Sequence, residues 1–242
     1  MLANIRSGGR VALTAALAII LAACGSGGEG SESSPSIPAP SQPAPGGLYL
    51  NSLDPQNWEI NFKDDRRGMP KHPSLHPNGW SAGWVIEIPQ SGQGSVHYVV
   101  MPTKSLLNKT SVTLRYRIEA APGAKLFPNR FPDRIASMSL YFQREGDNWT
   151  AEGKYEAYRW YANFATHRPI GMDGNEFEMT ARFDQNWISI MGGNTITNPA
   201  GYADARANAA RVGFVMGGGD GLGHGVYAQG QARLVVTHFS VD

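Results

Sequence analysis

The chain has 242 residues, of which 21 are basic and 20 acidic, so that only 17% are charged. This balance provides no positive field for nucleic acid, so we expect no nucleic-acid partner. Six Trp, nine Tyr and nine Phe can form a core, which excludes a wholly disordered chain. The 29 glycines and 16 prolines argue against a helix bundle, and the single cysteine excludes a disulfide framework and any multi-cysteine metal site.

The first segment, residues 1–23, is typical of a secretory signal peptide. Arg6 and Arg10 form a positive region, and the apolar run from Val11 to Ala23 is shorter than the about 20 residues that a transmembrane helix requires. The run ends in Leu21-Ala22-Ala23-Cys24, which resembles the lipobox of bacterial lipoproteins.

The lipobox resemblance implies cleavage before Cys24 and attachment of lipid to its thiol, and so an N-terminal lipid anchor in a bacterial cell envelope. Gly25, and not aspartate, follows the cysteine, which implies export to the outer membrane. An ordinary secretory signal with a chance cysteine is the alternative. Residues 24–47 are then the lipidated cysteine and a Gly/Ser- and Pro-rich linker, and residues 48–242 form a single domain.

Alternation of apolar and polar residues with a period of two dominates this domain and predicts strands. The clearest case is Val112 to Ile118, where apolar side chains interleave with Thr113, Arg115 and Arg117. Further strands are predicted at residues 84–88, 96–101, 138–143, 155–162, 176–183, 187–191, 211–216 and 232–241. One helix is predicted at Pro199 to Ala210, which is rich in alanine and begins with proline.

Many strands without alternating helices predict an all-β antiparallel sandwich, and we expect the jelly-roll type. Ala232 to Val241 is nearly apolar, so we expect it in the middle of a sheet with both faces covered. The strand, glycine-rich loop and strand of residues 211–242 resemble the closing strands of carbohydrate-binding modules and lectin-like jelly rolls. The resemblance implies a glycan or polysaccharide ligand but assigns no binding residue.

One candidate ligand face combines aromatic and hydrogen-bonding side chains on two neighbouring strands. It is predicted to be a shallow groove that consists of Tyr141, Gln143, Tyr155, Arg159 and Tyr161, with Trp149 from the connecting loop at its rim. Aromatic rings stack on the apolar face of a pyranose, and polar side chains bind its hydroxyls. Packing in the core, with a buried tyrosine hydroxyl satisfied by Arg159, is the alternative interpretation.

A second candidate is the loop from Gly217 to Gly225, in which six of nine residues are glycine. Such a backbone lets a ligand approach closely, with Asp220 and His224 as polar contacts. The loop has neither the following helix nor the Lys-Ser/Thr pair of nucleotide-binding motifs. A bulged connection between two strands is the alternative.

The sequence contains no strong metal motif, and we assign no cofactor. His72 and His76 have the helical spacing of zinc ligands, but the prolines around them preclude a helix. Calcium (Ca2+) is an expectation for a secreted sandwich. The carboxylates available for it are Asp54, Asp64, Asp65 and Asp242.

We assign no catalytic residue. Glycoside hydrolysis needs a pair of carboxylates, but the spacing of Glu145, Asp147, Glu152 and Glu156 does not match the compact strand motif of sandwich glycosidases. We therefore expect a membrane-anchored lipoprotein, at the surface or in the periplasm, whose sandwich binds a glycan non-catalytically. The alternatives are a sandwich-fold glycoside hydrolase or polysaccharide lyase, and a structural envelope lipoprotein that binds a protein partner.

Overall fold

The computed structural model describes residues 52–62, 71, 75–80, 83–90, 95–162, 167–219 and 221–242. In chain order its strands are β1 (Glu59–Asn61), β2 (Asn78–Trp80), β3 (Gly83–Glu87), β4 (Tyr98–Pro102), β5 (Ser111–Ala120), β6 (Lys125–Pro128), β7 (Ser137–Arg144), β8 (Arg159–Ala162), β9 (Arg168–Pro169), β10 (Phe177–Arg182), β11 (Trp187–Ser189), β12 (Ala209–Gly217), β13 (Val226–Gln229) and β14 (Ala232–Val241). The helix α1 is Pro199–Ala207, and two 3-10 turns are Pro55–Asn57 and Gly153–Ala157.

Two antiparallel sheets confirm the predicted all-β sandwich. One has the order β1-β4-β12-β7-β8-β11, with β9 paired to the start of β7, and the other has the order β10-β5-β14-β3-β2. Strands β6 and β13 form a separate two-stranded ribbon. Successive strands β3, β4 and β5 alternate between the two sheets, and the jelly-roll topology itself stays a prediction.

The core lies between the two sheets and is formed by the apolar half of each alternating strand. In β5 the side chains of Val112, Leu114, Tyr116 and Ile118 are buried, while those between them are half-buried or exposed. The seven-stranded sheet provides Leu140, Phe142 and Phe214. Trp84 of the five-stranded sheet stacks on Phe214, with ring centroids 6.4 Å apart. Burial of such apolar area is the main stabilising term of the fold.

The last strand, β14, lies in the centre of its sheet between β3 and β5, as predicted. Leu234 and Val236 face the core, and Val235 is buried on the other face. The expectation that both faces are covered holds only in part. Arg233 and Thr237 are half-buried on the outer side, and the Arg233 guanidinium pairs with Glu119.

The predicted helix is present but ends earlier. Asn198 caps its first turn, where the side-chain oxygen accepts a hydrogen bond from the Gly201 amide at 3.0 Å, and Pro199 occupies the first helical position. Residues beyond Ala207 leave the helix because Ala209 already pairs with Arg144 in the sheet. Tertiary pairing therefore overrides the alanine-rich composition at this end.

Candidate functional site on the outer face of the seven-stranded sheet

Four of the predicted site residues lie on one face of β7 and β8. Tyr141 is directly opposite Tyr161, and Gln143 is directly opposite Arg159. Met138, Leu140 and Phe142 occupy the core side of β7, as the alternation predicts. With Tyr98, Val100 and Val215 from the neighbouring strands, these four residues form what we call the outer-face cluster.

Tyr155 does not belong to this cluster, because the chain forms a 3-10 turn where a strand is predicted. Gly153 has φ +57°, and the backbone amides of Tyr155 and Tyr158 bond to carbonyls three residues earlier. Strand β8 therefore begins only at Arg159. The half-buried Tyr155 ring packs against Tyr158, with 5.0 Å between the ring centroids.

The outer-face cluster differs from the predicted shallow groove because it is covered. The side chains of Tyr141 and Gln143 are fully buried, and Tyr161 is 6% exposed. Trp149, Ile190 and Leu222 pack over the cluster from three loops. Trp149 is half-buried and contacts the Tyr98 ring, with centroids 5.2 Å apart.

Tyr98 is a member of the cluster that the sequence pattern places in a strand but does not assign to the site. Its hydroxyl lies 2.9 Å from the Tyr161 hydroxyl, and its ring centroid is 5.0 Å from that of Tyr141. The available signal was the alternation of Tyr98 and Val100 with the core residues Val99 and Met101. That pattern shows that Tyr98 faces away from the core but not that it meets β8.

Asp147 fastens the loop of residues 145–152, which we call the lid, onto the cluster. Its carboxylate lies 2.9 Å from the Arg159 Nε and accepts hydrogen bonds from the Gln143 amide at 2.8 Å and the Trp149 backbone amide at 3.0 Å. The Arg159 and Asp147 side chains are only 6% and 1% exposed, respectively. In the sequence Asp147 stands out only as a candidate catalytic carboxylate.

The lid backbone is strained at two residues that are not glycine. Trp149 has φ +68° and Ala151 has φ +59°, in the left-handed region that disfavours a side chain. The Trp149 ring compensates in part, since the Arg159 guanidinium lies 5.2 Å from its centroid in a cation–π contact. The lid is thus held by Asp147 and Trp149 together.

Burial sets the protonation of the cluster. Burial raises the pKa of Tyr141 and of Tyr161 well above the usual range, and neighbouring phenols act in the same direction. Burial disfavours charge on Arg159, but Tyr161, Tyr98 and Asp147 outweigh it and leave the guanidinium pKa raised. At neutral pH the two phenols are therefore neutral hydrogen-bond donors beside a buried cation.

Three buried side chains of the cluster keep polar atoms without a hydrogen-bond partner among the described residues. They are the Tyr141 hydroxyl, the Gln143 Oε1, and the Nε and Nη2 of Arg159. The Arg159 Nε is close to Asp147, but its N–H is not directed at the carboxylate oxygen. Buried polar groups are nearly always paired, so this concentration marks a polar site.

The glycine-rich loop meets the same cluster. Gly223 has φ +80°, and a Cβ there would lie 2.6 Å from the Tyr98 hydroxyl, so only glycine allows this approach. The Gly223 carbonyl lies 2.7 Å from Nδ1 of His97, and Leu222 packs on the cluster. The half-buried His224 contacts the Arg130 guanidinium at 2.9 Å instead, and Asp220 lies outside the described residues.

A cavity of about 270 Å³ adjoins the cluster. Tyr161, Ile190 and Leu222 belong to both, and His167 and Ile188 also line the cavity. Burial lowers the His167 pKa, which leaves a neutral imidazole at pH 7. The volume is close to the lower end of the range for small-ligand pockets, about 300 Å³.

A second concavity, of about 540 Å³, lies at the end of the other sheet. Two of its charged side chains, Glu119 and Arg233, pair with each other, Glu119 also contacts Arg117, and the third, Glu87, is exposed. Glu176 and Glu178, which the sequence places on one strand face, bond to Thr237 and Arg115 at the surface. These carboxylates form a solvated, paired surface.

The described residues contain no group of three or more His, Cys, Asp or Glu that could hold a metal ion. Asp54 caps a 3-10 turn and Asp242 accepts a hydrogen bond from Ser240. Asp64, Asp65 and His72 lie outside the described part of the chain. Among the four clustered acids only Asp147 has a buried side chain, while Glu145, Glu152 and Glu156 are exposed.

Comparisons with known proteins matched no family model, no curated protein and no solved structure. Within the described ranges no helix has the length and apolar character needed to cross a bilayer. The signal-peptide region, Cys24 and the linker fall outside those ranges.

Proposed function

We propose that the domain binds a glycan, without catalysis, in the cavity beside Tyr161. The observation that carries this proposal is that the cavity shares Tyr161, Ile190 and Leu222 with the outer-face cluster. Ile188, Ile190 and Leu222 provide apolar walls, and His167 provides a polar group. The apolar walls suit the apolar face of a sugar ring, and the polar group suits its hydroxyls. The packed cluster beside these walls holds them in place before a ligand binds.

The first test is a glycan array with the full-length protein in detergent, followed by titration of each glycan that binds. Ile188→Trp places a large side chain in the cavity and should weaken binding at least tenfold, about 1.4 kcal/mol. Ile196→Trp is the matched control, because Ile196 is 79% exposed and does not line the cavity. The proposal fails if no glycan binds, or if the two variants have the same affinity.

A polysaccharide lyase is the second candidate function. A neutral imidazole at His167 and a protonated phenol at Tyr161 line one cavity, and these are groups that can remove and supply a proton. If oligosaccharides with unsaturated ends accumulate during the same titrations, the domain is a lyase and not a non-catalytic binding domain.

We also propose that lipid on Cys24 anchors the domain in a bacterial envelope, at the outer membrane. The sequence Leu21-Ala22-Ala23-Cys24 supports this, and the linker of residues 25–47 gives the domain room above the bilayer. Labelled palmitate should enter the wild-type protein and not Cys24→Ser. Equal incorporation into both proteins would overturn the anchor.

A further inference from the structure

We infer that the Asp147 carboxylate occupies the place of a ligand carboxylate on Arg159, and that the glycan is built from uronic acids whose carboxylate displaces it. This inference rests on the proposed glycan binding and adds the class of sugar and its subsite. The lid would lift, and one sugar of the chain would enter between Arg159, Tyr141 and Gln143 while a neighbouring sugar occupies the cavity beside Tyr161.

Arg159 is a buried cation whose counter-charge comes from the lid. Arg159 is nine-tenths buried, and the described residues give it one carboxylate, Asp147, which belongs to a surface loop and not to the sheet. A buried charge without a counter-charge is strongly unfavourable. Any ligand that lifts the lid must therefore bring its own anion to Arg159.

The polar atoms of Arg159, Tyr141 and Gln143 that have no partner among the described residues match the groups of a sugar acid. Arg159 has a donor at Nη2 and the protonated Tyr141 hydroxyl is a donor, whereas Gln143 Oε1 is an acceptor. Cross-strand pairing places these three groups on adjacent positions of one face. A carboxylate supplies acceptors to the two donors, and a sugar hydroxyl supplies a proton to Gln143, so a hydroxy acid satisfies the whole set.

The same arrangement rejects neutral sugars. A neutral sugar that lifts the lid removes Asp147 from Arg159 and replaces it with hydroxyls, which leaves the guanidinium without a counter-charge. A uronate exchanges one carboxylate for another and keeps the pair. Discrimination then comes from the unfavourable state with the wrong ligand as much as from contacts with the right one.

Apart from Asp147, Trp149 and Ala151, the lid is exposed. Glu145, Gly146, Asn148 and Thr150 are exposed, so few buried contacts break when the loop moves. Lifting also releases the left-handed conformations of Trp149 and Ala151. The contacts of Asp147 and Trp149 with the cluster oppose the movement, as do the burial of Ala151 and the hydrogen bond from the Glu145 amide to the Asn208 carbonyl.

The decisive comparison uses the full-length wild-type protein and two forms of one probe. The first is an oligosaccharide of galacturonic acid, and the second is the same oligosaccharide after its carboxyl groups are reduced to alcohols. The acid form should bind at least tenfold more tightly. It should also change the fluorescence of the wild-type protein and not that of Trp149→Phe, because the Trp149 ring leaves Tyr98 and Arg159.

Two variants separate a ligand site from structural packing. Asp147→Asn removes the competing carboxylate and should strengthen binding of the acid form at least threefold, since less of the protein is held in the closed state. Asp184→Asn is the matched control, an exposed ion pair with Arg182 that should leave affinity unchanged. Tyr141→Phe removes a hydroxyl that has no described partner, so it should weaken binding severalfold without lowering the melting temperature.

The outcomes distinguish the two levels of proposal. Glycans on the array without preference for the acid form would overturn the inference and leave glycan binding intact, whereas no binding at all would overturn both. A melting temperature that drops in Tyr141→Phe would mean that a buried water satisfies the three groups, and the inference would fail. If Asp147→Asn does not fold, the acid-to-alcohol comparison and Tyr141→Phe still decide.

Discussion

Replacing Tyr161 with alanine should lower the free energy of unfolding by about 3–5 kcal/mol, the cost of large-to-small aromatic changes in a core. The ring is almost completely buried, lies 5.3 Å from the Tyr141 ring and shares a hydrogen bond with Tyr98. Its removal leaves a cavity under the lid and leaves the Tyr98 hydroxyl without its hydrogen-bond partner. Denaturant unfolding followed by fluorescence measures this change.

Two further variants provide reference values for the stability loss of Tyr161→Ala. Tyr161→Phe keeps the ring and should cost about 1–2 kcal/mol, because only the hydroxyl partner of Tyr98 is lost. Tyr155→Ala removes the same kind of side chain from the half-buried 3-10 turn and should cost about 1 kcal/mol. Equal stability of Tyr161→Ala and the wild type would show that Tyr161 lies in an open groove, contrary to the structure.

The second large effect is expected for Arg159→Met, which should cost about 3 kcal/mol, the lower end of the range for breaking a buried ion pair. Methionine preserves much of the side-chain length but leaves the Asp147 carboxylate buried without its cation. The lower end applies because Asp147 lies on the lid and can turn to solvent. Urea unfolding of the variant tests the value.

The control for this prediction is Arg115→Met, which removes an arginine from an ion pair with Glu178 at the surface. Both of its side chains are about half exposed, so the cost should stay below about 1 kcal/mol. Combining Arg159→Met with Asp147→Leu should recover part of the lost stability, since no unpaired charge remains buried. An additive loss in the double variant would contradict the assigned role of the pair.

Local pattern in the sequence was sufficient for much of the fold. The alternation from Val112 to Ile118 identified β5 and its buried side, and Pro199 marked the start of α1. The same period of two placed Tyr141 with Gln143, and Arg159 with Tyr161, on common faces. These features depend on neighbours along the chain, which a sequence displays directly.

Short elements escaped this reasoning. Strands β1, β9 and β13 have two to four residues, too few to show a period, and they exist because longer strands pair with them. The alternation of apolar and polar residues around Tyr155 predicts a strand. The positive φ of Gly153 and the 3-10 turn were not visible in that alternation.

Only the tertiary structure decided what covers the outer face and which distant residues complete it. Tyr98 and Tyr161 are 63 positions apart, and His97 and Gly223 are 126 apart, yet both pairs are in hydrogen-bond contact. In the sequence Asp147 is one of four clustered carboxylates with nothing to distinguish it, and folding buries it against Arg159. A pleated strand specifies which side chains share a face, whereas the loops that close over the face are positioned by contacts between remote segments, which no local period encodes.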